Sequence, residues 1–479
     1  MAVKSRRMLE RAKEIAAIVK RAPEVRVYSH IDADGICGAA IAAETLSRAG
    51  IEHRVEFLKK MDDATIQLIK DSNPSLAWFV DFGAGQLGSM KGLNAVITDH
   101  HIPARPQPAK QTRGDLFAFT KPQDDVPMLN PHDFGMGSDD ASGASVTYAV
   151  SREMDSRNTD LAAVAVVGAV ADVQEAQFRR LKGFNREVIK DGEMAGVLKG
   201  STDLRLFGRE TRPLHKFLQY ATDPSIPRLT GNEEACIAFL LEIGIDLKVD
   251  EDWRSWSSLD GGEKRRVVSE LVTHMLQRGC GHKEVERLIG EVYTLVREEV
   301  GSPLRDAKEF GTLLNACGRY DEAEVGLMVC RGDRGEYYQK AIGLLQNHRE
   351  TIVSSLDFVD GIGISQLGSI QYFHGEDKIK DTVVGVTAGM LLSSGVASRD
   401  MPIIAFAQAE DGIKVSARAS KALEAKGLDL SVVMRQAAKM LGGEGGGHMS
   451  AAGATIPPGT EDEFLRIVEK LVREQIGEG

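Results

Sequence analysis

Aspartate and histidine residues recur at the ends of three predicted strands in the first third of the chain. The groups are His30-Ile31-Asp32-Ala33-Asp34-Gly35, Asp81 and Asp99-His100-His101. A further carboxylate, Asp172, ends the apolar segment 161–171. Carboxylates that converge repel one another unless cations neutralise them. Carboxylate and imidazole together suit Mn²⁺, Mg²⁺ or Zn²⁺, and the excess of carboxylates without cysteine favours the harder ions.

Each of these residues alone has a plainer interpretation. A single aspartate after a strand usually caps a helix, which would account for Asp32, Asp34 or Asp172 taken singly. Asp99 alone would orient a loop or a neighbouring imidazole. Three successive strand ends with the same chemistry favour a metal site instead. Two metal ions about 3.5–4 Å apart need a bridging carboxylate, and Asp81 is placed for that role.

The elements that must position these groups alternate between strands and helices over residues 25–101. The predicted strands are VRVYSH, HRVEFL, LAWFVDF and NAVITDHH. This alternation predicts an α/β fold with a doubly wound parallel sheet, because each crossover helix covers one face. Ligands of such sheets bind beyond the carboxyl ends of the strands, where the acidic groups should meet.

The rest of the 479 residues predicts further domains, since about 150 residues per domain is usual. We expect a basic N-terminal helix (1–22) that caps the first domain, a sheet domain (23–175), a mostly helical region (176–348) and a smaller C-terminal α/β domain (349–479). The Pro-rich segment 102–129 predicts a long loop. Helical spacing predicts a helix over 285–296. The segments SIQYFHG, TVVGVTAGML, MPIIAFAQAED and IKVSARAS are predicted as strands.

Composition narrows the classes of protein that fit. Lys+Arg is 59 against Asp+Glu 70, a net charge of −11, so nucleic-acid binding would need a local basic surface. The five cysteines form no CxxC pair, which argues against a disulfide framework and a structural zinc site. The longest apolar run is shorter than a membrane span, and the N-terminus lacks the apolar core of a signal peptide. These features predict a cytoplasmic protein without membrane contact.

A glycine-rich run near the C-terminus is the second candidate for chemistry. Gly445, Gly446 and Gly447 would let backbone N–H groups approach an anion, and His448 would add a donor. The small residues 451–453 are expected to permit a tight loop-to-helix entry. Arg418 offers a guanidinium suited to phosphate, although alone it would be a surface charge. The segment 178–186 mixes cations with aromatics, as either a nucleic-acid track or a solvated linker helix would.

These motifs resemble those of the DHH phosphoesterase superfamily, and the run 445–453 resembles the accompanying DHHA1 domain. Asn130-Pro131-His132, Ser142-Gly143-Ala144 and Ala171-Asp172-Val173 are similar to the RecJ branch. The run 314–319, LNACGR, looks most like archaeal RecJ-like, GINS-associated nucleases.

The resemblance implies roles for the acidic and imidazole groups. The implied metal shell is Asp32, Asp34, Asp81, His100 and Asp172. Asp81 would bridge the ions, His101 would contact the scissile phosphate or assist the leaving oxygen, and Asp99 would orient an imidazole. His30 is either a ligand or a support behind the ligands, since some relatives place the ligand where this chain has Tyr28. The predicted substrate contacts are Arg418, Gly445, Gly446, Gly447, His448, Asn130, Ser142, Gly143 and Arg319, and Asn315 is a further candidate beside Arg319.

The leading hypothesis is a RecJ-like exonuclease that uses two Mn²⁺ or Mg²⁺ ions to release mononucleotides from single-stranded DNA or RNA. Its site would lie in a cleft between the first and last domains, and its role in replication, repair or RNA processing. One alternative is a phosphoesterase for short oligonucleotides, phosphoadenosine-type nucleotides or cyclic dinucleotides. Another is a replication scaffold that binds GINS, like a related eukaryotic helicase subunit with a degenerate site. The full set of Asp and His residues disfavours pure scaffolding.

Overall fold

The computed structural model describes residues 3–104 and 126–477, so most of the predicted Pro-rich loop lies outside the described residues. The chain divides into two compact units, Met1–Leu345 and Gln346–Gly479. The strands of the first unit are β1 Glu24–His30, β2 Glu52–Leu58, β3 Ala77–Val80, β4 Ala95–Thr98, β5 Met128–Leu129, β6 Leu198–Leu204, β7 Lys248–Val249, β8 Asp252–Trp253 and β9 Ile289–Leu295. Its helices are α1 Val3–Val19, α2 Ala33–Ala49, α3 Asp63–Asp71, α4 Gly143–Met154, α5 Ala162–Ala171, α6 Asn185–Met194, α7 Leu214–Gln219, α8 Glu233–Glu242, α9 Gly261–Gln277, α10 His282–Val285, α11 Ala307–Arg319, α12 Ala323–Cys330 and α13 Glu336–Ile362, which continues into the second unit.

The predicted parallel sheet is confirmed. Five strands pair in the order β2-β1-β3-β4-β5, and every neighbouring pair is parallel. Alternate residues of each strand point to opposite faces. Val27 and Val80 enter one buried core with residues of α2, α4 and α5, whereas Phe79 enters another with residues of α3. The sheet is therefore doubly wound, and its carboxyl ends lead into the acidic segments.

The basic leading helix is part of the first unit's core. Met8, Ile15 and Val19 of α1 are fully buried, and the Arg11 side chain donates to the Met128 carbonyl at 3.1 Å. The exposed side of α1 carries basic residues, Lys13 among them. The amphipathic pattern thus places its apolar stripe against the domain, as such patterns do in globular proteins.

The predicted helix over 285–296 is wrong. Ile289–Leu295 forms β9, which pairs antiparallel with β6. Its β-branched and aromatic residues suit a strand, and its partner lies about ninety residues earlier, where local spacing gives no sign of it. Between the two strands, helices α7, α8 and α9 surround a separate core that includes Phe217 and Trp256.

The second unit contains a mixed sheet of six strands in the order β10-β11-β12-β13-β15-β14. These strands are β10 Ser365–Leu367, β11 Ile370–His374, β12 Ile403–Ala409, β13 Gly412–Arg418, β14 Glu444–Gly447 and β15 Ala451–Ile456. The helices are α14 Asp381–Ser394, α15 Lys421–Ala425, α16 Leu430–Met440 and α17 Glu461–Ile476.

Two predictions for this unit are wrong. The segment TVVGVTAGML is part of α14 and not a strand, because a short apolar run fits a buried helix equally well. The residues expected to enter a helix after the glycine run instead form β15, which pairs antiparallel with β14. Among the described residues, no helix combines the length and apolar character that crossing a bilayer requires.

Candidate metal centre

Three overlapping groups of side chains lie at the carboxyl ends of β1, β3 and β4 and at the end of α5. Within each group the potential ligand atoms lie within 4.8 Å of one another. The groups are His30/Asp32/Asp81, Asp34/His100/Asp172 and Asp81/His100/His101. Together they contain every residue predicted as a metal ligand, and they place His30 beside Asp32 and Asp81. Because Asp81 and His100 each belong to two groups, the set forms one continuous centre.

Asp81 lies at the middle of this centre in a constrained conformation. Its φ is +63°, in the left-handed region that non-glycine residues adopt only when their surroundings enforce it. The side chain is 2% exposed, and its Oδ1 lies 3.4 Å from His100 Nε2. Among the described residues this oxygen has no hydrogen-bond partner. Burial, with the charges of Asp34 and Asp32, raises the pKa of Asp81 well above its ordinary range.

A buried carboxylate oxygen without a partner is costly, by about 1–3 kcal/mol or more for a charged group. A divalent cation would satisfy this oxygen and offset the repulsion among the surrounding carboxylates. The donor set of carboxylates and imidazoles suits Mn²⁺ or Mg²⁺. The residues present therefore fit a divalent metal centre.

Asp32 caps a helix and also faces the centre. Its Oδ1 accepts the Gly35 N–H at 2.9 Å at the start of α2, while its Oδ2 lies 2.9 Å from His30 Nδ1. Burial opposes ionisation of Asp32, but the neighbouring His30 outweighs it and lowers the pKa of this carboxyl below its ordinary value. One oxygen of Asp32 thus caps the helix, and the other is left facing the carboxylate centre.

Asp34 is held by the first turn of α4. Its Oδ2 accepts the Gly143 N–H at 2.6 Å, and its Oδ1 accepts the Ala144 N–H at 3.1 Å. A Cβ on Gly143 would lie 2.4 Å from Asp81 Oδ1, so the site requires glycine there. Ser142 is fully buried and caps α4. The structure places Ser142 and Gly143, both predicted substrate contacts, behind the carboxylates as supports.

His100 and Asp172 are oriented by Gln174, a residue that the sequence analysis missed. Gln174 Nε2 donates to Asp172 Oδ2 and to the Ser138 carbonyl, each at 2.9 Å. His100 Nδ1 lies 3.1 Å from the same carbonyl, which leaves Nε2 to face Asp172 Oδ2 at 3.7 Å. Burial raises the pKa of Asp172 to about 7, although His100 opposes this. Only the position of Gln174, two residues after Asp172, could have indicated its role.

Asp99 orients His101. Its Oδ1 lies 2.8 Å from His101 Nδ1, and its Oδ2 accepts the Ala84 N–H at 2.9 Å. Burial opposes ionisation, but His101 and the backbone donors hold the pKa of Asp99 at about 2. In turn, Asp99 outweighs the burial of His101 and raises its pKa to about 9. The His101 side chain is 49% exposed, so solvent and solutes can reach it.

Family models match three parts of the chain. They are the DHH family N-terminal domain at residues 24–169, the DHH-CID domain at 206–289 and the DHHA1 domain at 368–474. The chain is a DHH/DHHA1 protein. An uncharacterized protein of Methanocaldococcus jannaschii is 29% identical over 483 residues, covering 98% of this chain and all of that protein.

Solved structures show the same fold at low identity. Thermus thermophilus RecJ in complex with Mn²⁺ has a TM-score of 0.57 at 17% identity, and the match covers 97% of this chain. It covers 55% of that RecJ, so the chain spans about half the length of this relative. Cdc45 from Entamoeba histolytica has a TM-score of 0.60 at 12% identity, covering 98% of this chain and 97% of that one. The DHH/DHHA1 protein thus has a RecJ-like fold.

Within the DHH domain, Asn130 supports the loop that carries His101. It is fully buried, its Nδ2 donates to the His101 carbonyl at 2.9 Å, and its Oδ1 accepts the His132 N–H at 3.0 Å. Both ends of the amide are therefore engaged by the protein. This geometry gives Asn130 a positioning role where the sequence predicted a substrate contact.

Helix α11, which follows the DHH-CID domain, contacts the loop between His30 and Asp34. Asn315 Oδ1 accepts the Ala33 N–H at 3.1 Å. A Cβ on Gly318 would lie 1.9 Å from the Ile31 carbonyl oxygen. Arg319 is half-buried at the end of α11, and burial lowers the pKa of its guanidinium while Asp32 opposes the shift. Arg319 thus remains a candidate for contacting substrate near Asp32.

The remaining predicted contacts belong to the DHHA1 domain. Arg418 ends β13, is half-buried and donates through Nη1 to the Ala417 carbonyl at 2.8 Å. Gly445, Gly446 and Gly447 lie in β14, the outer strand of the sheet, and the exposed His448 follows them. In the segment 178–186, two of the cations pair with acids of the middle region, Arg179 with Glu286 and Arg186 with Glu291.

Proposed function

We propose that this protein is a metal-dependent phosphodiesterase, specifically an exonuclease that releases mononucleotides from single-stranded DNA or RNA. The chain carries the domains of the DHH phosphoesterase family, and its fold is shared with RecJ exonucleases. The strongest single support is the buried Oδ1 of Asp81, which accepts no hydrogen bond from the described residues and lies in the middle of a complete set of carboxylates and imidazoles. A protein that used this fold only as a scaffold would gain nothing from retaining such a costly arrangement.

Two divalent ions, Mn²⁺ foremost and Mg²⁺ as the alternative, would be held by two of the groups. Asp32 and His30 would hold one ion, and Asp34, His100 and Asp172 the other, with Asp81 shared between them. When bound, such ions supply Lewis acidity at the phosphate and lower the pKa of a water. The supports around Asp34 and Asp172 keep these carboxylates in place for that task.

His101 and Asp99 would handle charge at the phosphate. Asp99 holds His101 Nδ1 and raises the pKa of the imidazole to about 9, which favours the cationic form of this ring at neutral pH. A cationic imidazole next to the reacting phosphate stabilises developing negative charge or donates a proton to the leaving oxygen. The partial exposure of His101 makes it accessible for this contact.

We propose substrate contacts in each of the two units separately. Arg319 offers a cation near Asp32, while Arg418, His448 and the glycines of β14 offer phosphate donors in the DHHA1 domain. An end-directed grip of this kind would favour release of single nucleotides. The resemblance to GINS-associated nucleases adds GINS as a candidate protein partner, which co-purification at physiological salt would test.

The decisive experiment is a nuclease time course with Mn²⁺, Mg²⁺ or EDTA. Substrates are 5′- and 3′-labelled single-stranded DNA and RNA, together with a dinucleotide. We expect metal-dependent release of mononucleotides that Asp81→Asn abolishes and that the surface control Glu10→Gln retains. Turnover of the dinucleotide alone would favour a small-substrate phosphoesterase. No turnover of any substrate by a folded, Mn²⁺-loaded protein would contradict the hydrolase proposal.

A further inference from the structure

A groove lies along the outer strand of the DHH sheet. Its cavity has a volume of about 580 Å³ and is lined by residues in or next to β2 and α12, together with Ile31. The apolar part of the lining includes Val55 and Phe57 on the strand side and Leu327 and Met328 on the helix side, and the charged part consists of Lys59, Asp321, Glu324 and Arg331. Cavities of this size accommodate several side chains.

Strand β2 leaves one edge without a neighbour. Within the described parts of the chain it pairs with β1 on one side and with no strand on the other. The alternate N–H and C=O groups of such an edge point outward and can pair with another strand. His53, Val55 and Phe57 line the groove, whereas the intervening residues face the opposite side of the sheet.

The exposed face of this edge carries a regular pattern of charge. Glu52, Arg54 and Glu56 are exposed and alternate in sign. Within the sheet, Glu52 lies beside Glu24 of β1, and Arg54 lies beside Arg26. Arg26 also lies 3.8 Å from Glu24, so the sheet compensates part of these charges itself. A further strand with basic, acidic and basic residues in register would place an opposite charge beside each of Glu52, Arg54 and Glu56.

We propose that β2 and α12 form a docking site for an extended segment of a partner protein, which adds a strand to the sheet. Its apolar side chains, at alternate positions, enter the groove. Its intervening side chains are basic, acidic and basic, and they lie beside Glu52, Arg54 and Glu56. In strand addition the backbone pairing supplies affinity and the alternate side chains supply specificity. This site goes beyond the proposed hydrolase activity and does not depend on it.

A second copy of the chain fits the groove less well than a separate segment. The groove-facing side chains of its β2, His53, Val55 and Phe57, line that copy's own groove beside its own α12. Val55 and Phe57 also pack there against Leu327. Val55 and Phe57 of a second copy are therefore already packed against that copy's own α12. An extended segment instead brings apolar side chains that are not packed against a domain of their own.

The test uses two labelled peptides and the full chain. The matched peptide is Val-Lys-Leu-Glu-Val-Lys-Leu, whose charge pattern is the same in either strand direction. The control peptide, Val-Glu-Leu-Lys-Val-Glu-Leu, has the same apolar residues with the charges exchanged. By fluorescence anisotropy we expect the matched peptide to bind about tenfold more tightly or better, since three cross-strand pairs change sign. Hydrogen exchange should slow in β2, and N-methylation of alternate peptide amides should abolish binding.

A variant with exchanged charges on β2 tests whether these three residues select the peptide. The variant is Glu52→Lys/Arg54→Glu/Glu56→Lys, and all three positions are exposed and outside the metal centre. In this variant we expect the control peptide to bind more tightly than the matched peptide. Equal binding of the two peptides, or a preference that this variant does not reverse, would overturn the proposal. So would failure of both peptides to bind, or a dimer in sedimentation that forms through β2.

Discussion

At the level of single residues, the Asp99–His101 pair makes a prediction about pH. Asp99 raises the pKa of His101 to about 9, so removing its charge should return the imidazole towards its ordinary pKa near 6.5. In Asp99→Asn, the cationic fraction of His101 should then be much lower than in the wild type at pH 8, but still high at pH 6. We expect nuclease activity at pH 8, relative to pH 6, to fall about tenfold or more.

The pH–rate profile of Asp99→Asn, measured with saturating Mn²⁺, checks this expectation. NMR titration of the His101 ring in the same variant reports its pKa directly. Asp71→Asn, an acidic substitution at an exposed position on α3, serves as the control. An unchanged profile in a variant whose His101 pKa has fallen would exclude the cationic imidazole from the rate.

A second residue, Glu309 on α11, predicts how stability changes with pH. Burial, reinforced by Asp306, raises its pKa to about 7, although Glu309 accepts the Glu210 N–H at 2.8 Å. A carboxyl with a raised folded-state pKa contributes stability below its ordinary pKa, and that contribution is lost as pH rises through about 7. Glu309→Gln should therefore lose less unfolding free energy between pH 5 and pH 8 than the wild type, by about 1–3 kcal/mol.

Urea denaturation at the two pH values measures this difference. Glu234→Gln, an exposed carboxylate on α8, is the matched control and should follow the wild type. Parallel pH dependence of wild type and Glu309→Gln would mean that Glu309 is ionised throughout in the folded chain.

Residue type and position at strand ends together predicted the centre, but they did not reveal which residues support it. Asp32, Asp81 and His100 were predictable because their chemistry recurs at strand ends, where topology makes them converge. Gln174 was not, because a lone amide has no distinctive spacing. Asn130 was visible in its motif, but only the structure shows that it is buried and that both ends of its amide make hydrogen bonds within the protein.

At the level of elements, α11 is predicted to hold the first metal-ligand loop in place. Its close approach to the Ile31 carbonyl leaves no room for a side chain at position 318. Gly318→Ala should push α11 away from the loop that carries His30 and Asp32. Residues that support metal ligands typically change affinity about 10–100-fold, and we expect Mn²⁺ binding to weaken by about tenfold or more.

Electron paramagnetic resonance of free Mn²⁺ measures this affinity without reference to activity. The matched control is Gly343→Ala on α13, where a new Cβ would meet nothing within 4 Å. Asn315→Ala, which removes the acceptor for the Ala33 N–H, should weaken binding in the same direction. Wild-type affinity in both α11 variants would show that the loop holds its geometry without this helix.

The elements that sequence patterns identified correctly are those with clear local signals. Strand β1, helix α2 and the helix cap at Asp32 follow from an apolar run, an Ala-rich stretch and an N-terminal aspartate. The two failures occur where the spacing of apolar residues is uninformative. Segment 289–295 is a strand because it pairs with a distant strand. Segment 381–394 is apolar around most of the helix, so the spacing of its apolar residues shows no helical period.

At the level of the whole molecule, stability should be linked to metal through the buried carboxylates. All members of the three side-chain groups belong to the first unit, so Mn²⁺ should stabilise that unit alone. At about 100 times Kd, a ligand adds about 2.7 kcal/mol, which raises the melting temperature of a unit this large by on the order of 5 °C. The second unit's transition should not move.

This stabilisation should also depend on pH, with a sign that the carboxylates determine. Burial raises the pKa of Asp172 to about 7 and that of Asp81 well above its ordinary range, so protons compete with Mn²⁺ for these oxygens in mildly acidic solution. Without metal, raised pKa values mean that the folded unit loses stability as pH rises and the carboxylates ionise. Bound Mn²⁺ offsets that repulsion. The melting difference between Mn²⁺ and EDTA should therefore grow from pH 6 to pH 8.

Differential scanning calorimetry of the full chain at both pH values, with Asp81→Asn alongside, separates this linkage from general salt effects. The variant keeps the shape of the side chain but removes one charge at the shared position, so its Mn²⁺ shift should be small at either pH. Because the variant also relieves repulsion, its melting temperature in EDTA at pH 8 should equal or exceed that of the wild type. A wild-type shift that is the same at both pH values, or that survives in Asp81→Asn, would place Mn²⁺ binding elsewhere and remove the main support for a two-metal phosphodiesterase.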